Sequence, residues 1–201
     1  MYKYIQNIII CGIAACSILL IGCENKFPLN KNLTSKSYSF FNQDSVQTEF
    51  SEIIKGKITV LGFIYTHCPD ICPMTTHNMY LTQIRLEKEG ISDVNFVGIT
   101  FDPDRDYPSV LKKFGDLREI DYSNWTFLWG DKEKTNELLD RFDVSTIFTD
   151  SLLIDGELSY SVMHTDRISL VGKDGRLKKN YKGSTVNLDE LYNDILTLRN
   201  E

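Results

Sequence analysis

The 201-residue sequence predicts an α/β fold in which a sheet is flanked by helices on both faces. Apolar, β-rich segments alternate with helix-like segments from residue 58 onwards, and the chain closes with a hairpin and a last helix. A cysteine pair follows the first apolar segment, at the carboxyl end of a strand, where open α/β sheets place their sites. This order of elements predicts a thioredoxin-like arrangement.

The first strand is predicted over residues 58–65 (ITVLGFIY), which are apolar and rich in β-branched and aromatic types. Residues 73–89 suit a helix that ends at Gly90. Its apolar or large residues are Met74, Met79, Leu81, Ile84 and Leu86. A second strand is predicted over residues 94–101 (VNFVGITF).

The later elements follow from the same periodicities, with apolar residues on one face of each helix and an Asp-Gly turn within the hairpin. They are a helix over 109–117, a strand over 125–128, a helix over 132–142, a hairpin of strands 167–171 and 176–181 around Lys173-Asp174-Gly175, and a closing helix over 188–198. The stretch 146–158 shows no clear period and is expected to be irregular.

The N-terminus predicts export from the cytoplasm. Residues 1–22 combine an early Lys3 with an apolar core over 8–21, which is typical of a signal peptide. The closing run Leu20-Ile21-Gly22-Cys23 resembles the lipobox of bacterial lipoproteins, which implies that Cys23 carries lipid and begins the mature chain. An uncleaved membrane anchor is the alternative. Both interpretations place the protein in the cell envelope, tethered to a membrane.

Composition favours one compact domain over residues 38–201, joined to the membrane by a polar tether over 23–37. Formal net charge is −6, and it becomes −7 without residues 1–22, which contain one lysine and no acidic residue. A nucleic-acid partner is not expected, because such binding calls for a clustered basic surface.

Removal of the signal peptide and lipidation of Cys23 would leave Cys68 and Cys72 as the cysteines of the folded domain. Pro69 biases Cys68 towards extended or loop backbone, and Pro73 suits the first turn of a helix. The positive end of that helix is expected to favour a thiolate at Cys72. The pair is therefore predicted to be reactive or metal-binding; two buried structural cysteines are the alternative.

The chain resembles the Sco/SenC proteins, thioredoxin-fold copper chaperones of cytochrome c oxidase assembly, over residues 38–198. Three features carry the resemblance: the run 65–73 (YTHCPDICP), the run 100–106 (TFDPDRD), which looks like the family's DPxRD loop, and His164 ahead of strand 167–171. Trp129 departs from the small polar residue that the family usually places before Gly130.

The resemblance implies a copper site formed by Cys68, Cys72 and His164, with His164 on a hairpin insertion. Two thiolates and an imidazole suit copper on chemical grounds, since soft sulfur ligands select Cu(I). Structural zinc prefers four protein ligands. Asp70 is the nearest candidate for a fourth and is interpreted instead as a shaping or partner-contact residue.

The other two histidines are not expected to bind the metal. His67 should point away from the neighbouring thiol if it continues the strand. His77 lies five positions after Cys72, about 140° around a helix from it, and should face solvent or a partner. The charged loop from Asp102 to Asp106 leaves the same sheet edge as the thiols, so either an internal ion pair of Arg105 or a docking role is expected there.

Two functions follow from these residues and from what the resemblance implies. The first is a membrane-tethered copper chaperone that serves the binuclear copper centre of a terminal oxidase, with an oxidase subunit or another exported copper protein as partner. The second is a thiol-disulfide oxidoreductase in which Cys68 and Cys72 are the catalytic redox pair. The wider spacing than C-x-x-C favours metal binding over catalysis, and His164 distinguishes the two, because dithiol exchange does not require it.

Overall fold

The computed structural model describes residues 26–68, 71–154 and 157–201. Residues 1–25, which contain the predicted signal peptide and Cys23, and residues 69–70, which include Asp70, lie outside the described residues. Within the described ranges, no helix has both the length and the apolar character needed to cross a membrane.

One eight-stranded sheet and a separate two-stranded hairpin organise the domain. The strands are β1 (Lys31–Asn32), β2 (Ser39–Asn42), β3 (Gln47–Glu49), β4 (Ile58–Ile64), β5 (Val94–Thr100), β6 (Trp125–Trp129), β7 (Thr146–Ile154), β8 (Glu157–His164), β9 (Ile168–Val171) and β10 (Arg176–Tyr181). The helices are α1 (Phe50–Ile54), α2 (Ile71–Lys88), α3 (Pro108–Asp116), α4 (Lys132–Arg141) and α5 (Leu188–Arg199), with a 3-10 turn at Gly183–Thr185.

The sheet has the order β1-β10-β9-β4-β5-β6-β2-β3. Strands β4, β5 and β6 run parallel, and β9 runs antiparallel to β4 on its other side. All seven residues of β4 are buried, as expected for a strand covered on both faces. The predicted boundaries of the elements from β4 to α5 agree with the structure to within two residues, apart from the stretch 146–158.

Helices cover both faces of the sheet, as predicted. Met79 of α2 lies against Gly62 on one face, and α5 packs against α2 and β4. The next residue of β4, Phe63, points to the other face, where its ring lies 5.1 Å from that of Phe142 at the end of α4. Phe142 also contacts Phe50 of α1, at 6.2 Å between ring centroids.

The inner face of α2 is more polar than the sequence predicts. Five of its buried residues are Thr75, Thr76, Asn78, Thr82 and Gln83. Met74 and Leu81, two of the helix's apolar residues, are 47% and 37% exposed. The inner face is polar because several of these side chains bond to neighbouring backbone, as in Asn78 Nδ2 to Gly183 O at 2.8 Å and Gln83 Nε2 to Asp121 O at 2.8 Å.

The described part of the stretch 146–158, residues 146–154 and 157–158, is regular, contrary to the sequence-based expectation. It forms most of the antiparallel hairpin β7–β8, whose register shifts between Thr149 and Leu152. That shift interrupts the alternation of inward and outward residues, which explains why no period is visible in the sequence. The hairpin ends at His164, in agreement with the predicted insertion that carries this histidine.

The N-terminal part of the described chain lies along β10. Backbone N–H groups of Leu29 and Leu33 donate to Lys178 O and Gly175 O, and Leu33 is fully buried. These residues fall within the predicted tether, so part of that segment packs on the domain.

Gly175 has φ +67°, the left-handed conformation that the predicted Asp-Gly turn requires.

Candidate metal centre

The thiol pair lies where β4 passes into α2. Cys68 follows β4 in a loop and is 9% exposed, and Cys72 is fully buried in the first turn of α2. The backbone N–H of Cys72 donates to Cys68 Sγ at 3.3 Å. A donor at the start of the helix therefore points to the sulfur of Cys68, where it stabilises negative charge.

His164 brings the third donor from the end of β8. Its Nε2 lies 3.3 Å from Cys72 Sγ. Its Nδ1 lies 3.0 Å from the backbone carbonyl of Thr165, and a carbonyl can only accept, so Nδ1 carries the proton. In the neutral ring, Nε2 is then unprotonated, and its lone pair points to the thiols. Bonding of the second ring nitrogen in this way commonly orients a metal-binding histidine.

The two sulfurs and the imidazole nitrogen lie within 4.8 Å of one another. Two soft donors and one borderline donor at this separation fit Cu(I), and a set of three leaves a position open to a ligand from another protein. A structural zinc site would require a fourth donor. The geometry thus suits an ion that is held and then passed on.

The surroundings of Cys72 in the structure do not favour the thiolate expected there. Two effects raise the pKa of the Cys72 thiol far above its ordinary value: the hydrogen bond with Cys68, which is the larger, and burial. The Cys72 N–H in the first turn of the helix does not compensate, because it points to Cys68 Sγ. A metal ion that binds here must displace the Cys72 proton, which makes binding pH-dependent.

Asp106 holds the thiol loop from the side. This buried carboxylate accepts hydrogen bonds from the backbone N–H of Thr66 at 3.0 Å, from the Thr66 hydroxyl and from the Thr100 hydroxyl at 2.6 Å. Burial raises the pKa of the carboxyl, and the three hydrogen bonds act in the opposite direction. Asp106 therefore fixes the backbone just before Cys68.

Asp102 and Arg105 hold the histidine hairpin. Asp102 is 1% exposed. Its carboxylate accepts hydrogen bonds from Arg105 Nε at 2.7 Å and from the hydroxyl of Tyr160 at 2.6 Å. The guanidinium of Arg105 lies 3.5 Å from the centre of the Tyr160 ring. The internal ion pair expected for Arg105 is therefore present. The charged loop contacts both the thiol loop, through Asp106, and the hairpin that carries His164, through Asp102.

Trp129 and Tyr160 support this loop but were not identified as site residues from the sequence. Trp129 Nε1 donates to Pro103 O at 2.9 Å, so the residue that departs from the family pattern fixes the charged loop. Tyr160 lies in β8, just beyond the stretch 146–158, and no sequence signal pointed to it. The sequence does show that Trp129 departs from the family pattern, but only the fold shows what its ring contacts.

The remaining histidines lie outside the three-residue group. His67 is exposed, with Nδ1 3.2 Å from Thr66 Oγ1 and 4.0 Å from Asp106 Oδ1. His77 is exposed on α2, where it lines a cavity of about 560 Å³ that contains neither cysteine. The metal centre opens into a different cavity of about 400 Å³, lined by Tyr65, Cys68, Ile71, Ser161, Val162, Met163 and His164.

A thioredoxin-like sheet with a Cys-Cys-His group at its carboxyl edge defines a class of thiol- and metal-dependent proteins. The SCO1/SenC family model matches residues 28–200. The SCO1 protein homolog of Bacillus subtilis is 31% identical over 193 residues, which are 93% of this chain and 95% of the relative. The chain belongs to the SCO1/SenC family.

Solved structures agree with this assignment. A SCO1/SenC family lipoprotein from Bacillus anthracis aligns with a TM-score of 0.74 at 30% identity over 86% of this chain and 97% of its own. BsSco, described as a Sco family cytochrome c oxidase assembly protein with a disulfide switch, gives 0.69 at 30% identity over 85% and 95%. Copper-bound ScoI of Arabidopsis thaliana gives 0.67 at 25% identity over 82% and 97%.

Proposed function

We propose that this protein binds a copper ion through Cys68, Cys72 and His164 and supports assembly of the binuclear copper centre of a terminal cytochrome c oxidase. The observation that carries the proposal is the three-donor group, whose ligand atoms lie within 4.8 Å of one another. Family membership supports it, because one relative is solved with copper bound and another is described as an oxidase assembly protein.

The donor set suits delivery better than storage. Thiolates make the centre selective for Cu(I), and the open side allows a partner's ligands to replace those of the chaperone one at a time. The centre also lies beside a cavity of about 400 Å³ in which Met163 is 59% exposed. A partner such as the copper-receiving oxidase subunit can therefore reach the ion from this side.

A thiol-disulfide oxidoreductase that reduces the partner's cysteines is the second candidate. The observation in its favour is that Cys68 and Cys72 lie close together and are not joined by a disulfide. The raised pKa of Cys72 disfavours a fast attacking thiolate at that residue. Because copper uptake requires the reduced pair, the redox activity is compatible with copper binding.

A lipid anchor at Cys23 is the proposed attachment to the membrane. The lipobox-like run 20–23 supports it, and a relative from Bacillus anthracis is described as a lipoprotein. The anchor would place the folded domain outside the cytoplasm, in the compartment where exported copper proteins acquire their metal.

The number of copper ions bound and the affinity for them test the proposed function. The processed chain, purified in detergent and reduced without oxygen, is expected to bind one Cu(I) in competition with a chromophoric chelator. Cys72→Ser and Cys68→Ser should each abolish tight binding, because a hydroxyl stays protonated and is a hard ligand. Unchanged affinity in either variant, measured beside His67→Ala as a control, would rule out this centre.

A further inference from the structure

The segment that follows the proposed ligand His164 is fixed to the domain at several points. Thr165 closes the base of the hairpin, since its N–H donates to Ser145 O at 3.0 Å and its hydroxyl accepts from Ser145 N–H at 3.1 Å. The carbonyl of the same residue accepts from Nδ1 of His164. The ring of His164 is therefore oriented by a backbone that is itself held in place.

Asp166 links this segment to the helix that carries Cys72. Its Oδ1 accepts from the hydroxyl of Thr75 at 3.2 Å and from Ser184 N–H at 2.9 Å, and its Oδ2 accepts from the Ser184 hydroxyl at 2.5 Å. Thr75 lies in α2, three positions after Cys72, and is 1% exposed. One carboxylate thus joins the thiol helix, the 3-10 turn and the residue two positions after His164.

The 3-10 turn approaches this carboxylate so closely that only glycine fits. A Cβ on Gly183 would lie 2.7 Å from Thr75 Oγ1 and 2.8 Å from Asp166 Oδ1. The carbonyl of Gly183 also accepts from Asn78 Nδ2 at 2.8 Å, which ties the turn to α2 a second time. The position of Asp166 relative to α2 is therefore fixed from three sides.

We propose that Asp166 is a positioning residue that, through the hydroxyl of Thr75, holds His164 Nε2 at bonding distance from Cys72 Sγ and thereby sets the copper affinity. This inference rests on the proposed function and extends it, since Asp166 contacts no copper ligand directly. A carboxylate suits the role because its bonding partners, the Thr75 hydroxyl and the N–H and hydroxyl groups of Ser184, are all donors.

Two neighbouring threonines of α2 offer a matched pair of variants. Thr75→Val removes the hydroxyl that binds Asp166 and preserves the shape of the side chain. Thr76→Val makes the same change one residue later, where the hydroxyl is buried and has no hydrogen-bond partner in the described part of the chain. Asp166→Asn is a third variant, which keeps the volume but turns an amide donor towards other donors.

The first measurement is Cu(I) affinity of the reduced full chain in detergent, by competition with a chelator. Thr75→Val and Asp166→Asn are expected to bind about tenfold more weakly than Thr76→Val, the lower end of the effect of residues that orient metal ligands. Circular dichroism of all three confirms that each remains folded. The Cu(II) visible spectrum should change in the first two variants only, because a displaced imidazole alters the ligand field.

The second measurement uses the metal-free protein. The imidazole Nδ1–H of His164 should give a sharp NMR signal in wild type and Thr76→Val, and a broadened signal in Thr75→Val and Asp166→Asn. Equal signals and equal affinities in Thr75→Val and Thr76→Val would overturn the inference, as would a weaker affinity with an unchanged imidazole signal. If wild type binds no copper, the proposed function fails, and the imidazole signals alone decide the role of Asp166.

Discussion

Cys72 Sγ and His164 Nε2 lie 3.3 Å apart although 92 positions of the sequence separate the two residues. Cys72 lies in the first turn of α2, just beyond the carboxyl end of β4, and His164 ends the hairpin that returns to the same edge of the sheet. Because both side chains are largely ordered by the protein, the ion meets a preformed set of donors. Binding then avoids most of the entropy cost of ordering its ligands.

His164→Ala should separate copper delivery from thiol exchange. It removes one proposed ligand and leaves both thiols, so Cu(I) affinity should fall by more than about 100-fold, beyond the effect of changes around a ligand. The reduction potential of the dithiol should move little. The measurements are chelator competition and redox titration, with the exposed His67→Ala as the matched control.

The same variant has a cellular readout. In a strain that lacks the native gene, His164→Ala should restore little oxidase activity at low copper and more at high copper, since mass action offsets a lost affinity. Full activity at the lowest copper level would favour the reductase. Failure at low copper together with normal disulfide exchange in vitro would favour delivery.

Tyr160→Phe should loosen the hairpin. The variant keeps the ring over Arg105 and removes the hydroxyl that donates to the buried Asp102. Burial is the larger cause that raises the pKa of Tyr160, and the hydrogen bond to Asp102 is the second. The phenol is therefore protonated and donates at neutral pH. The free energy of unfolding should fall by about 1.5 kcal/mol in urea titrations.

Tyr107→Phe is the control for that experiment, because Tyr107 is 53% exposed and follows the same loop. Its unfolding free energy should stay within about 0.5 kcal/mol of wild type, as for most surface changes. Equal losses in the two variants would show that the bond between Tyr160 and Asp102 contributes nothing measurable.

Asp194→Asn should remove a pH-dependent part of the stability. Asp194, whose side chain is 2% exposed, accepts from Lys179 and Tyr181 at 2.7 Å each and pairs with Lys26 at 3.0 Å. Burial acts to raise the pKa of this carboxyl, but these bonds outweigh it, so the pKa is lowered. At neutral pH the variant should lose about 2 kcal/mol, because the hydrogen bonds to this carboxylate are charge-assisted but its lysine partners are partly exposed to water.

The lowered pKa of Asp194 fixes the sign of the pH effect. The unfolded chain binds the proton more readily than the folded chain, so the contribution is complete above about pH 4 and is lost as pH falls through the folded pKa. Urea titrations of wild type and Asp194→Asn should therefore converge in acid. The exposed Asp189→Asn of the same helix should follow wild type throughout; a constant gap between wild type and Asp194→Asn would contradict this account.

Cys23→Ala should block maturation at the proposed lipobox. Mass spectrometry of the membrane fraction is expected to show a longer, unprocessed precursor for this variant, and a lipidated chain beginning at residue 23 for wild type. Cys16→Ala, within the proposed signal peptide, should be processed normally. An intact Met1 on the wild-type protein would favour the uncleaved membrane anchor instead.

The sequence predicted the central strands and the flanking helices because their signals are local. A buried strand such as β4 is a short run of apolar residues, and α3 and α4 show helical periodicity within their own length. It missed β1, β2, β3 and α1, which are short and take their stability from pairing or packing with distant parts of the sheet. The sequence did not predict the buried polar residues of α2 for a related reason, since their hydrogen-bond partners lie far away along the chain.

The sequence by itself determined the thiol half of the candidate site, because two cysteines, two prolines and a strand-to-helix junction all lie within a few residues. It identified His164 only through resemblance to a family, since nothing beside that residue marks it as a ligand. Tertiary structure decided which groups surround these three side chains: Asp106 at the thiol loop, Asp102 at the hairpin and Asp166 between them. Each of those contacts joins segments that are dozens of residues apart, and only the folded sheet brings such segments to one edge.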